Sequence, residues 1–250
     1  MRAALALAGL VAATPAHAAC PDVPTVARFA MALLERRVPA PLPAMDEAEA
    51  RCAQARLVAT LAQPWGDVVG HALAAEAMPP LRGALFFATT RAATGATIEA
   101  GYAARPAVAP GLLLRMGEDG RIAAASAYLA LLDLAAVPAP GRAARIAGNL
   151  GLRLGVVGPE VAVADPAGLA GAAVLQADGS VLASLPGLGL AAPPAALVAA
   201  LAREMAAEGR ALRPGEHVAL LGAAIPVPPR AGEDWRLSVA GLGVVGVVFR

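Results

Sequence analysis

Few residues in this chain carry chemical potential, and most of them fail on context. Gly241, Gly243 and Gly246 spell G-x-G-x-x-G, but only four residues follow Gly246. A dinucleotide site needs a helix after the glycines, so that its first N–H groups face the phosphates. These glycines are therefore expected to serve sheet curvature or a bulge. No G-x-S-x-G elbow is present, and no Cys/His spacing matches a zinc site. The chain has no lysine, which excludes Schiff-base chemistry. Beyond His17 the histidines are His71 and His217, neither beside a serine in a recognisable motif. His217 follows the Pro214-Gly215 turn and reads as a surface residue at a strand start. Between Gly101 and Gly158 the acids are Glu118, Asp119 and Asp133. The first two, followed by Gly120, read as a solvated turn. Asp133 stands alone inside the apolar run YLALLDL, and an acid there needs hydrogen-bond partners or a functional reason. A helix cap and a general base both remain open for it.

The elements that must position such residues follow from composition and period. The formal net charge is +1, so no field argues for nucleic acid or an anionic surface. Apolar residues reach 58%, much of it alanine. The long apolar stretch at 122–138 contains Ser126 and Asp133, whereas a bilayer span needs about 20 residues with almost no charge. No transmembrane span is read in the mature chain. Residues 1–18 read as a signal peptide: Arg2 as the positive start, Ala3 to Ala13 as the apolar core, and Ala16-His17-Ala18 as the cleavage site. Export to a periplasmic or secreted location makes a Cys20–Cys52 disulfide the favoured pairing. Such a loop closure contributes about 3–4 kcal/mol. Acylation of Cys20 as a lipoprotein is the alternative, against which His17 stands where leucine is usual.

Val26, Phe29, Ala30 and Leu33 recur at helical spacing, with Arg36 and Arg37 at the C-terminal end. After a linker from Pro39 to Pro43, Asp46 and Glu49 form a capping box that opens a helix through about Leu61, stopping before Pro64. Short strands then dominate, at 112–116, 152–157, 161–164, 174–176 and 181–185, with Asp178-Gly179 as a hairpin turn. A helix follows Pro194, with Leu197, Leu201 and Met205 on one stripe and Gly209 as its stop. Strand 218–221 and the alternating end, Trp235, Leu237, Val239, then Val245, Val247 and Phe249, close the chain.

The segment 195–249 (LVAALAREMAAEGRALRPGEHVALLGA, then AGEDWRLSVAGLG and VVGVVF) resembles the ending of the 2-keto-4-pentenoate hydratase group of the fumarylacetoacetate hydrolase superfamily. ARIAGNLGLRLGVVG resembles that group's Asn-Gly-Arg-Gly segment, keeping Asn149, Gly151, Arg153 and Gly155, and EARCAQARLVATLA resembles its N-terminal helix. The likeness is to an exported branch with cysteines at these two places. It implies an α+β fold, a mixed β-roll or distorted β-sandwich with flanking helices, divided as a leader at 1–18, an N-terminal helix and linker at 19–43, and a hydratase-like domain at 44–250.

The resemblance also implies a magnesium or manganese ion held by an acid-x-acid pair and a later glutamate, chelating a 2-keto acid. Those positions are Ala109, Gly111 and Ala130 here, and the group's lysine and serine fall at Ala72 and Ala223. Asp133 matches an aspartate of the family segment. The expectation is therefore no metal and no cofactor: a hydratase-like protein without the family's hydratase activity, which binds a small carboxylate or 2-keto acid through Asn149 and Arg153. The alternative is a metal-independent hydro-lyase with Asp133 as general base. Asn149 and Arg153 also have plain structural readings, as a turn amide and a salt-bridging arginine.

Overall fold

Local sequence signals set the helices. The computed structural model describes residues 20–250 except Ala170 and Ala224, so the leader read at 1–18 lies outside the described residues. Helix α1 (Val23–Leu34) starts where the Asp22 carboxylate accepts from Thr25 N at 2.6 Å. Helix α2 (Glu47–Trp65) opens on the expected capping box: Asp46 Oδ1 accepts from Glu49 N at 2.8 Å, and Glu49 Oε2 accepts from Asp46 N at 2.9 Å. It runs through Pro64 instead of stopping before it. The proline falls in the last turn, where it removes one N–H, and Gly66 ends the helix at φ +84°. Cys20 and Cys52 form the disulfide, with a sequence separation of 32, and it ties the start of α1 to α2.

Next come β1 (Val68–Ala74), β2 (Leu81–Phe86), the short α3 (Phe87–Thr90), β3 (Ala92–Ala93), β4 (Ala96–Ile98), β5 (Pro106–Met116) and β6 (Ile122–Asp133). They are followed by α4 (Arg142–Ala147), β7 (Leu152–Val157), β8 (Val161–Ala162), β9 (Ala173–Ala177), β10 (Ser180–Leu185), α5 (Pro194–Ala207), β11 (His217–Leu221), β12 (Asp234–Val239) and β13 (Gly243–Phe249). Among the described residues the large sheet has the order β2-β1-β11-β5-β6-β7-β3, with β8 also on β6, and the second has the order β10-β9-β12-β13-β4. The β1–β11, β3–β7 and β4–β13 pairs are parallel and the others antiparallel. This is the mixed α+β architecture expected from the sequence.

Strand period divides the core. From β5 and β6, Val108, Leu112, Leu114, Leu129 and Leu131 pack toward the second sheet, against Leu175, Trp235, Leu237 and Phe249. Their alternates Ala109, Leu113, Tyr128, Ala130 and Leu132 face the opposite layer, where α2 contributes Ala50 and Ala53 and α4 contributes Ile146 and Ala147. A third cluster joins α1 and α2 through Phe29, Leu33, Leu57, Leu61 and Trp65. The segment Pro186–Ala207 is long and apolar enough by composition to cross a membrane, yet Leu197, Leu201 and Met205 of α5 pack into the main core. Of the three late glycines, two form a turn and Gly246 lies within β13, opposite Arg236. Gly241 and Gly243 adopt φ +80° and +84° in the β12–β13 hairpin, and Val239 pairs with Gly243.

The disulfide closes a loop that contains α1 and the linker. Cys52→Ser is expected to lower unfolding stability by about 3–4 kcal/mol, measured by denaturant melts with and without reductant. Equal stability of the two forms would mean that the crosslink contributes nothing.

Candidate ligand cleft

The α-facing layer of β5 and β6 is where the sequence placed the missing acids. Ala109 pairs with Ala130 and Gly111 with Tyr128, so these positions lie side by side on one face. Ala109 opens onto a cleft of about 320 Å³, walled by Leu132, Leu150, Leu221 and Ala223. Gly111 and Ala130 do not reach it. Ala130 is fully buried, and a Cβ on Gly111 would lie 2.7 Å from the Leu220 carbonyl oxygen and 3.0 Å from Leu221 Cδ2. Ala72 is buried in the same layer, away from the cleft. Where carboxylates were sought, leucines and alanines pack instead.

Pro110 sits in the middle of β5 without breaking it. Val108 N and O both bond Val227, so the even residues of this strand point that way. Pairing with β11 begins only at Gly111–Leu221. The missing N–H of Pro110 therefore faces the gap between Leu221 and Val227, and that gap is one wall of the cleft.

Two charged side chains stand on the cleft, Arg145 from the last turn of α4 and Glu76 from the segment after β1, and they pair with each other. Neither was singled out from the sequence. A signal existed: Glu76 is the one acid between Asp67 and Glu99, and Arg145 lies one helical turn before Asn149.

The three residues that were singled out do not converge. Asp133 is buried, and its carboxylate accepts from Arg105 N at 3.0 Å, Ala135 N at 2.9 Å and Ala104 N at 3.3 Å. It caps the 3-10 turn Leu134–Ala136 and holds the loop before β5, which matches the cap reading. Arg153 stands at a register shift between β6 and β7, with its guanidinium 4.3 Å from the Trp65 ring centre. Its Nε is buried without an acceptor, and burial, then the neighbouring Arg36 charge, lower its pKa from the ordinary arginine value.

Asn149 pins an edge. Strand β2 ends the large sheet, and the Asn149 amide completes its open side. Oδ1 accepts from Ala84 N at 2.6 Å, and Nδ2 donates to Ala84 O at 3.0 Å. Gln54 Nε2 continues the row by donating to Arg82 O at 2.9 Å. By fixing Asn149, these bonds also place Leu150 in the cleft wall. Gly155, another residue kept in that segment, has a packing reason: a Cβ there would lie 2.2 Å from the Tyr128 hydroxyl.

His217 differs from its reading as a surface residue. His217 opens β11 half-buried, with Nδ1 lacking a partner, and burial lowers its pKa. His71 is buried in β1, and burial, helped by the Arg82 charge, brings its pKa down to about 4.

No protein-family model matches the chain, and no curated protein matches it in sequence. Solved structures do match it in shape. The 4-oxalocrotonate decarboxylase from Pseudomonas putida G7 complexed with calcium and acetate aligns with a TM-score of 0.72 at 16% identity, over 82% of this chain and 86% of that one. Its magnesium and adipate complex gives 0.71 at 16%, over 83% and 88%. Fumarylpyruvate hydrolase from Pseudomonas aeruginosa with Mn2+ and pyruvate gives 0.56 at 16%, over 73% and 91%.

The expectation of no cofactor is corrected by these likenesses, since the solved structures of this shape hold calcium, magnesium or manganese. The residues present do not fit an all-protein site for such an ion. No group of three or more His, Cys, Asp or Glu that could hold a metal occurs among the described residues, and Glu76 is the cleft's single carboxylate.

Substitutions at three positions test this geometry. Asn149→Ala should cost about 2–4 kcal/mol by stripping both Ala84 backbone groups of their partner, with Asn149→Asp intermediate. Gly111→Glu should cost about 1–3 kcal/mol through overpacking. For His71, the unfolded chain takes up a proton near 6.5 and the folded chain only near 4. Stability should therefore fall as pH drops from 6.5 toward 4, by ~3 kcal/mol. Denaturant melts across that range should show a flatter slope in His71→Asn. At the level of fold, the chain has the fumarylacetoacetate-hydrolase-like architecture.

Proposed function

We propose that this is an exported protein that binds a small carboxylate, a 2-keto acid in particular, in the cleft between Ala109 and Ala223, and that does not carry out 2-keto-4-pentenoate hydration. The observation that carries the reading is the composition of the cleft wall. Leu132, Leu134, Val137, Leu150, Leu221 and Pro226 are apolar, and charge enters at one corner, where Arg145 pairs with Glu76. A short acid fits such a wall with its carboxylate on the Arg145 guanidinium, whose planar fork can serve a second acceptor, and its hydrocarbon on the leucines. The solved structures of similar shape were obtained with acetate, adipate and pyruvate, all small carboxylates, which supports the ligand class.

Hydration of an enol or keto acid needs an electrophile and a proton carrier. The positions that would supply them are Ala109, Gly111, Ala130, Ala72 and Ala223. A divalent ion of the kind held by the similar structures would find Glu76 as its one protein carboxylate in the cleft. The hydro-lyase reading with Asp133 as base has less support, because that carboxylate already accepts from three backbone N–H groups and does not line the cleft. Export is supported by the disulfide, a bond favoured in oxidising compartments.

Thermal unfolding with 2-oxopentanoate tests the binding. A ligand at 100 times its Kd adds about 2.7 kcal/mol of stability. The midpoint should rise for the wild type and stay unchanged for Arg145→Met. No shift in the wild type, or an equal shift in both, would overturn the reading. Turnover of 2-keto-4-pentenoate with magnesium or manganese added would make the protein an enzyme.

A further inference from the structure

A second cleft lies at the open edge of the large sheet and shares no lining residue with the first. Its main chamber is about 650 Å³, between α2 on one side and β1, β2 and the end of α5 on the other. A neighbouring chamber of about 460 Å³ is lined by the loop that leads into β11. Val68, His71 and Arg210 line both.

The polar groups here are incompletely matched. His71 is 5% exposed and lines both chambers. Across the β1–β2 pair, His71 stands opposite Ala84 and Leu73 opposite Arg82, so His71 and Arg82 share one face as diagonal neighbours. Arg82 donates through Nη2 to Glu208 at 2.6 Å, while its Nη1 is buried with no acceptor. The charged groups around His71 are Arg82 from β2, Glu208 and Arg210 from the end of α5, and Glu216 before β11. Arg51 and Asp67 complete the rim of the larger chamber and Arg213 that of the smaller. Opposite them, α2 presents Val58, Ala59 and Ala62, and β1 presents Val68, as an apolar strip.

We propose that this edge cleft is a second ligand site, which takes an aliphatic carboxylate with its headgroup at His71 and Arg82 and its hydrocarbon tail along Val58, Ala59, Ala62 and Val68. A carboxylate is acceptor-only, and this cleft offers it a buried Arg82 N–H without an acceptor among the described residues, beside an imidazole that can donate. Neutral His71 is kept so by burial and by Arg82. An anion beside it reverses that balance and favours the protonated ring, so binding should draw in a proton and strengthen as pH falls toward 5.

The test is an NMR titration of the full chain with hexanoate, following the His71 ring protons. Hexanoate should shift this resonance saturably and raise the pH at which it titrates. Read from line broadening of the hexanoate resonances instead, binding to His71→Phe should be roughly tenfold weaker, as expected for loss of a charge-assisted hydrogen bond. Arg210→Ala, an exposed position, provides a second weakened variant should His71→Phe not fold. Arg145→Met, in the other cleft, should leave this binding unchanged. An unmoved His71 resonance, an equal response to hexanol, or loss of the shift in Arg145→Met would each overturn the proposal. The last would place the carboxylate in the Ala109 cleft instead.

Discussion

The antiparallel pairing of β5 with β6 is the constraint on which the other layers rest. These are the two longest strands, paired from Pro106–Asp133 to Met116–Ile122, at the centre of the larger sheet. Because side chains alternate, each residue in this pair is committed to one of two layers, and a slip by one would exchange them all. Leu112, Leu114, Leu129 and Leu131 make the core with the second sheet. Ala109, Gly111 and Ala130 fall on the helix side, where the fold can present a reacting group to a cleft. In this chain they are the smallest side chains of that face. Leu221 packs over Gly111, and the charged groups of the cleft are Arg145 and Glu76.

An acid in the buried layer would need compensating charge or hydrogen bonds, and an alanine needs neither. The surrounding leucines then gain contact area instead of solvating an ion. The cleft wall is apolar with one charged corner, at Arg145 and Glu76.

Asn149 shows how one side chain can be fixed by the backbone groups it meets. It is the chain's single asparagine, and its backbone stands at φ +50°. The edge of β2 needs one group that accepts from an N–H and donates to a C=O at the same time. Aspartate cannot donate, and glutamine is longer and less at ease in the left-handed region. The residue resembled a ligand group in sequence, but its geometry is that of a short added strand. Asp133 follows the same logic, because its three N–H partners are brought together only when the loop at 104–105 folds back against the end of β6.

The sequence alone determined the parts that depend on neighbours in the chain. These include the capping box at Asp46 and Glu49, the Asp178-Gly179 hairpin, the α5 stripe, and the alternation of β12 and β13. Periodicity and turn chemistry are local, so one chain suffices to read them. It also determined, by residue type, that Ala109, Gly111 and Ala130 bring no carboxylate. Only the tertiary structure decided which polar groups meet. Glu76 and Arg145 are far apart in the chain and become partners because β1 and α4 end on the same rim. Asn149, Asp133 and Arg153 lie close in sequence yet point to a sheet edge, a loop and an aromatic face. The direction of a side chain depends on what packs around it, and that is a property of the assembled layers.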